Sequence, residues 1–239
     1  MESNKILGIM QPYFFPYLGY FMLMRSVDKY IFFDTTQYVK GSWFNRNRII
    51  NIKDGSTFIN VPVTKQPLDT PTNKTLINYN IAWQQQIIAQ LEVYKKRASY
   101  YKETIALVRD IIEQKYESIA ALNINSNLKV LQYLDINLNF DIHSDMGIEI
   151  QTELKADEDA LYLSKQLGYS KYINAIGGKE FYDVEKYSEN GVDIKFLKPQ
   201  LSVYDQKIGR FESGLSIIDV LMFNSKEEVV TMLDSYELV

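Results

Sequence analysis

Apolar residues fall in two rhythms along this chain, and the rhythm changes with position. Ile6 to Met10 is a short unbroken apolar run, the mark of a strand buried on both faces. A second, β-rich run, Tyr30 to Phe33, follows Val27-Asp28-Lys29. If the two are parallel neighbours, Tyr20 to Arg25 is the helix that crosses between them. Arg48 to Val63 then predicts a hairpin: Ile50 and Ile52 alternate with polar residues, Asp54-Gly55 turns, and Phe58, Ile59, Val61 and Val63 return. Lys65 to Asn80, rich in Pro, Thr and Asn, has no period and reads as a long loop, either a lid or a crossing.

From Ile81 the period lengthens. Ile81, Gln84, Ile87, Ile88, Leu91 and Lys95 keep helical spacing, and so do Thr104, Val108, Ile111 and Ile112. A third helix buries Leu128, Leu131 and Leu134, with Asn123 or Asn125 as its expected cap. Leu138 to His143 reads as a short strand. Asp157 is the expected cap of a helix that buries Ala160, Leu161, Ser164 and Leu167 and closes at Gly168. Lys171 to Asn174 and Val192 to Leu197 read as strands, Leu215 to Met222 as a helix, and Lys226 to Tyr236 as a final amphipathic helix. Together these elements predict an α/β fold: a mostly parallel, Rossmann-like, nucleotide-binding-like sheet with a β-hairpin and a helical insertion near residues 80–135. No repeat or linker divides residues 1–239, so a single domain is expected.

Composition narrows the chemistry. A net charge of −4 argues against a nucleic-acid partner. With no cysteine and one histidine, His143, the chain has no disulfides, no thiolate chemistry and no histidine-based zinc site, so no metal ligands are assigned. No apolar run approaches the ~20 residues of a membrane span, and Met1 to Asn4 does not read as a signal peptide. A cytoplasmic location is the expectation.

The turn after the first strand holds the densest pattern. Six aromatics lie between Tyr13 and Phe21, with Pro12, Pro16 and Gly19 among them. The prolines fix φ, and Gly19 lets the backbone approach a neighbour or a ligand. Such a strand-to-helix turn either plugs a core or presents free N–H groups to an anion. Asp34, at the carboxyl end of the second strand, is placed to hold a ribose hydroxyl or an amine, or to cap its own turn. From Thr35 to Lys53 the chain carries Lys40, Arg46, Arg48 and Lys53 and no acid. In an acidic protein that reversal points to an anion, with two guanidiniums on one face of an extended Arg46-Asn47-Arg48 and Trp43 and Phe44 able to stack on a ring. Gly177-Gly178-Lys179 after the Lys171–Asn174 strand forms a second candidate rim site, without Walker spacing. His143 beside Ser144 and Asp145 is a candidate base or a structural hydrogen bonder.

Gln11-Pro-x-x-Phe-Pro-x-x-Gly-Tyr-Phe21 resembles the opening of the WbqC-like family. The likeness continues in Asp28 to Asp34, in Gln37 to Ile49, and in Tyr204-Asp-Gln206, Phe211 and Leu215 to Asp219, and so spans essentially the whole chain. The resemblance implies a role in O-antigen or other surface-polysaccharide pathways. A weaker, fold-level likeness is to nucleotidylyltransferases: Tyr17-Leu18-Gly19-Tyr20 stands where those carry His-x-Gly-His, with both histidines replaced.

The expected function is therefore a surface-polysaccharide biosynthesis protein that binds a nucleotide or nucleotide-sugar, with acyl or aminoacyl transfer to an amino sugar as the candidate reaction. The alternative is a non-catalytic binding or scaffold protein of the same pathway. Asp34, Tyr20 and His143 are the candidate catalytic residues. Gln11, Tyr17, Gly19, Lys40, Trp43, Arg46, Asn47, Arg48, Gly177, Gly178 and Gln206 are the candidate ligand contacts. No cofactor is assigned.

Overall fold

A computed structural model describes residues 5–150, 155 and 157–239. The chain opens with strand β1 (Ile6–Met10), turns into helix α1 (Leu18–Arg25) and returns in β2 (Lys29–Phe32). A hairpin follows, β3 (Arg46–Asn51) and β4 (Gly55–Asn60), with Gly55 at φ +86° where the turn demands the left-handed region. Three helices come next: α2 (Trp83–Leu91), α3 (Tyr101–Ile112) and α4 (Ile119–Tyr133). Then come β5 (Phe140–Ile142), α5 (Glu158–Gln166), β6 (Lys171–Ala175), α6 (Val184–Glu189) and β7 (Asp193–Pro199). The chain closes with α7 (Ile217–Phe223), α8 (Lys226–Met232) and β8 (Tyr236–Leu238).

The main sheet has the order β5-β2-β1-β6-β7-β8, and the hairpin forms its own two-stranded sheet. All pairings of the main sheet are parallel except that of β7 with β8. β1 pairs with β2 in the register Leu7↔Lys29 and with β6 in the register Ile6↔Lys171. From β1 the chain builds outward to β2 and β5 on one side, then crosses to β6 and β7 on the other. The strand order therefore reverses between β1 and β6, the place where open α/β sheets hold ligands beyond their carboxyl ends.

Helices cover both faces of the sheet. On one, Leu7, Ile9, Ile31, Tyr172, Ile194 and Phe196 pack with Ala160, Leu161 and Leu163 of α5 and Tyr187 of α6. On the other, Tyr30, Phe32, Ile173 and Leu197 belong to one continuous core with α1, the hairpin, α2 to α4, α7 and α8. Seven of the eight residues of α1 are buried, as its apolar sequence requires of a helix sandwiched between layers.

Several element ends differ from the sequence expectation. Ser118 caps α4, accepting from the Ala121 amide at 3.1 Å, whereas Asn123 lies inside the helix and turns inward. Asp157 precedes α5 without capping it, because its carboxylate binds Lys186 at 3.1 Å. The last helix stops at Met232, and Tyr236–Leu238 pair with β7, whose outer edge would otherwise stay open. The segment expected to be a bare loop contains a 3-10 turn, Thr72–Lys74, packed against α4.

Candidate functional site

Five parallel strands end at one rim: β1 before Gln11, β2 before Phe33, β5 before His143, β6 before Ile176 and β7 before Gln200. The turn leaving β1 is held from several sides. Asn47 Nδ2 donates to the carbonyls of Phe14 (3.0 Å) and Phe15 (2.9 Å). Asn123 Nδ2 donates to the carbonyls of Pro12 (2.9 Å) and Phe44 (2.8 Å), and Ser216 Oγ donates to the Phe15 carbonyl at 2.8 Å. Phe15 sits at φ +39°, a conformation a bulky residue adopts only under such restraint. Asn47, a candidate ligand contact by sequence, is thus wholly engaged in fixing this turn: its Oδ1 also accepts from the Arg48 amide.

The aromatic positions of the turn divide in role. The Tyr20 hydroxyl donates to the Gln11 carbonyl at 2.5 Å and is buried, which raises its pKa. It is a fixed donor and not a base. The Tyr13 hydroxyl donates to Gln11 Oε1 at 2.8 Å, and burial pushes its pKa up to about 12. A Cβ on Gly19 would stand 2.6 Å from the Tyr17 ring. The close approach that Gly19 permits is therefore to Tyr17, whose ring folds back over the first turn of α1. Trp43 is 43% exposed and stands near Phe58, ring centroids 6.4 Å apart, while Phe44 is buried against Tyr13 and Tyr38. Lys40 is exposed beside them.

At the ends of β2 and β5 two side-chain pairs interlock. Asp34, buried, accepts from the Ser144 amide (3.0 Å) through Oδ1 and from Ser144 Oγ (2.6 Å) through Oδ2. Its carbonyl accepts from Thr72 Oγ1 and the Asn73 amide, which fastens the 3-10 turn to the rim. Next to it, Thr35 Oγ1 and His143 Nδ1 are 2.8 Å apart. Burial lowers the His143 pKa, opposed by the Asp34 charge and by the backbone of Ile148, so the imidazole is neutral at pH 7. Thr35 and Thr72 carry no signal in the sequence beyond their types; the register of β2 with β5 brings Thr35 to His143 and Ser144 to Asp34, and the 3-10 turn brings Thr72.

The two arginines do share the outward face of β3, but they part company there. The Arg48 guanidinium reaches the carbonyls of Ser213 (3.5 Å) and Gly214 (3.3 Å), ahead of α7. The Arg46 guanidinium lies 4.3 Å over the Phe58 ring, close enough to Tyr38 to oppose the rise that burial causes in that hydroxyl's pKa. Among the described residues no carboxylate pairs with either arginine, and Arg46 Nε, Arg48 Nε and the Tyr38 hydroxyl are buried without a hydrogen-bond partner. No hydrogen bond or ion pair among the described residues joins Arg46 or Arg48 to Gln11 or Asp34. The link runs through rings, Tyr13 to Phe44 to Tyr38.

Gly177 and Gly178 follow β6 in a 3-10 turn, Ile176–Phe181, that packs on the ends of β6 and β7. Gln206 lies elsewhere. It is 1% exposed, donates to Asp219 Oδ2 (2.8 Å) and the Glu212 carbonyl, and accepts from the Glu212 amide. Asp219, fully buried, also accepts from the hydroxyls of Tyr94 (2.7 Å) and Tyr204 (2.6 Å). Burial raises its pKa, and the three donors oppose that rise. Among the described residues no three His, Asp or Glu side chains gather as metal ligands.

Fold and rim define a Rossmann-like α/β protein whose first strand-to-helix turn is locked by asparagines and flanked by an unpaired arginine. The chain belongs to the WbqC-like protein family, whose profile matches residues 11–231. It is similar, at 28% identity over 224 residues, to Rv1507c, an uncharacterized protein of Mycobacterium tuberculosis; the alignment covers 92% of this chain and 94% of that one. No solved structure matches it. Among the described residues no helix is long and apolar enough to cross a membrane.

Proposed function

We propose that this chain is a cytoplasmic enzyme of surface-polysaccharide assembly that binds a nucleotide or nucleotide-sugar at the carboxyl ends of β1, β2 and β6. The observation that carries the reading is Arg46: a guanidinium held over Phe58, with no carboxylate beside it, in a protein of net charge −4. Burying an arginine donor without an acceptor is costly, and a phosphate supplies the acceptor. Tyr38 stands ready as a second donor. Trp43 and Phe58 offer a half-exposed aromatic surface for a sugar ring, and Gly177, with nothing within 4 Å of where a Cβ would stand, leaves room beyond the end of β6. Lys40 adds charge for attraction without fixed geometry.

The reaction proposed comes from the pathway that the family resemblance implies: acyl or aminoacyl transfer to an amino sugar. The amine attacks the carbonyl of an activated acyl donor, a C–N bond forms, the leaving group departs and the amine proton passes to the neutral His143 imidazole. Thr35 sets the imidazole, and Asp34 sets the rim through Ser144. Tyr20 and Gln11 position the turn. A panel of nucleoside diphosphates and nucleotide-sugars tests the binding half. The true ligand raises the melting temperature by mass action, and a panel without any shift at millimolar ligand rejects the reading. Mass spectrometry of nucleotide-linked amino sugars incubated with acyl donors tests the transfer. A ligand that binds but gains no acyl mass leaves the chain a non-catalytic binding protein.

A further inference from the structure

Two asparagines on α4 stand out from the rest of the buried polar groups. Asn123 and Asn127 are one helical turn apart on one face, and both are 0% exposed. Asn123 faces two carbonyl oxygens, of Pro12 and Phe44, so its amide is oriented with Nδ2 toward them. Its Oδ1 is left without a donor. Among the described residues Asn127 has no side-chain partner: neither Nδ2 nor Oδ1 meets a hydrogen-bonding group. A fully buried primary amide with both ends open is rare, because native interiors pair such groups. The cap role expected of Asn123 belongs to Ser118, so nothing in helix geometry calls for polar residues here.

We infer that Asn127, with Asn123 Oδ1 beside it, is the subsite for the nucleobase of the bound nucleotide. The inference rests on the nucleotide reading above. The chemistry selects a base over the other amides a nucleotide-sugar carries. A side-chain amide offers one donor and one acceptor side by side, and its match is a group with N–H and C=O, or N and N–H, on the same edge. Nucleobases have such edges, and asparagine pairs with them in two-point fashion. The acylamino group of a sugar is a trans secondary amide, whose N–H and C=O point to opposite sides. The position also suits: Asn123 touches Phe44, two residues from Arg46, and Asn127 lies about 6 Å further along the helix. One ligand then spans base subsite and phosphate subsite. Asn127 is enclosed, so a base reaches it through a local opening of the α4 layer.

Calorimetry with a nucleoside diphosphate and with inorganic pyrophosphate, on wild type and Asn127→Leu, tests this. Leucine fills the same space and needs no partner, so the variant should melt at or above the wild-type temperature. It should bind pyrophosphate unchanged and the nucleoside diphosphate at least tenfold more weakly. In wild type, hydrogen exchange across residues 123–130 should slow with the nucleoside diphosphate and not with pyrophosphate, a readout that stands even if the variant folds poorly. Equal nucleoside diphosphate affinity in a folded Asn127→Leu protein, or protection that pyrophosphate produces equally, overturns the base subsite and leaves phosphate binding intact. Failure of wild type to bind either probe removes the nucleotide reading itself, and the base subsite with it.

Discussion

The Asp219 cluster and the Arg46 surface are both polar groups drawn into an apolar interior, and they are built in opposite ways. Around Asp219 every bond is closed: Tyr94, Tyr204 and Gln206 donate to its carboxylate, and Tyr94 in turn accepts from the Ile50 amide. Those residues tie the segment before α7 to β3 and to the end of α2. Around Arg46 the bonds are open, with Nε and the Tyr38 hydroxyl buried and unmatched. A closed cluster holds the fold together. An open one keeps its capacity for something outside the chain. By that measure Gln206 and Asn47 are tied into the fold, and Arg46 and Asn127 are the open groups that the proposed nucleotide would engage.

The contrast breaks most visibly at Asp219. Asp219→Leu strands three buried donors and should cost on the order of 4 kcal/mol. For a chain of this size that lowers the melting temperature by roughly 10 °C. A drop of a degree or two would mean the cluster is not what holds α7 down. Asn47→Leu frees the Phe14 and Phe15 carbonyls and should cost about 1–3 kcal/mol in denaturant unfolding. Equal stability with lost ligand binding would move Asn47 back among the ligand contacts. Gly19→Ala drives the Tyr17 ring off α1; because the clash is with the far end of a partly buried ring that can swing, the cost should be near 1 kcal/mol, at the low end of overpacking. A variant that keeps its stability and still loses all binding would place the ligand against Gly19.

The smallest effect is in pH. The folded-state pKa of His143 lies below its unfolded value near 6.5, so the unfolded chain takes up the proton first. Stability that is full above pH 6.5 should fall as the pH drops below it. His143→Asn should flatten that slope, and an unchanged slope would show that His143 is not the group responsible.

Much of the fold was legible because its cause is local. The apolar runs of β1 and β2, the alternation and Asp54-Gly55 turn of the hairpin, and the spacing in α2 and α3 each follow from a few neighbouring residues. What is not legible depends on partners far away in sequence. Tyr236–Leu238 is a strand only because β7 offers an edge. Asn123 looks like a cap until Pro12 and Phe44 arrive beside it. The candidate site shows the same division. The pairing of Arg46 and Arg48 on one face came from strand periodicity, but their separate destinations came from Phe58 and from the Ser213–Gly214 backbone. Thr35 and Ser144 joined Asp34 and His143 only through the β2–β5 register, more than 100 residues apart. Gln206 is an amide in a family-like block, and its burial against Asp219 has no local signature.

Titration calorimetry of a nucleoside diphosphate into wild type and Arg46→Ala tests the central claim most directly. The open guanidinium predicts measurable binding to wild type and a loss of about 1.5–3 kcal/mol in the variant, on the order of tenfold to a hundredfold in affinity. The melting temperature of the unliganded variant should stay close to wild type. Equal affinity in the two proteins, or an Arg46→Ala chain that unfolds as readily as Asp219→Leu, would show that Arg46 belongs to the framework and that its unmatched donor is not waiting for phosphate.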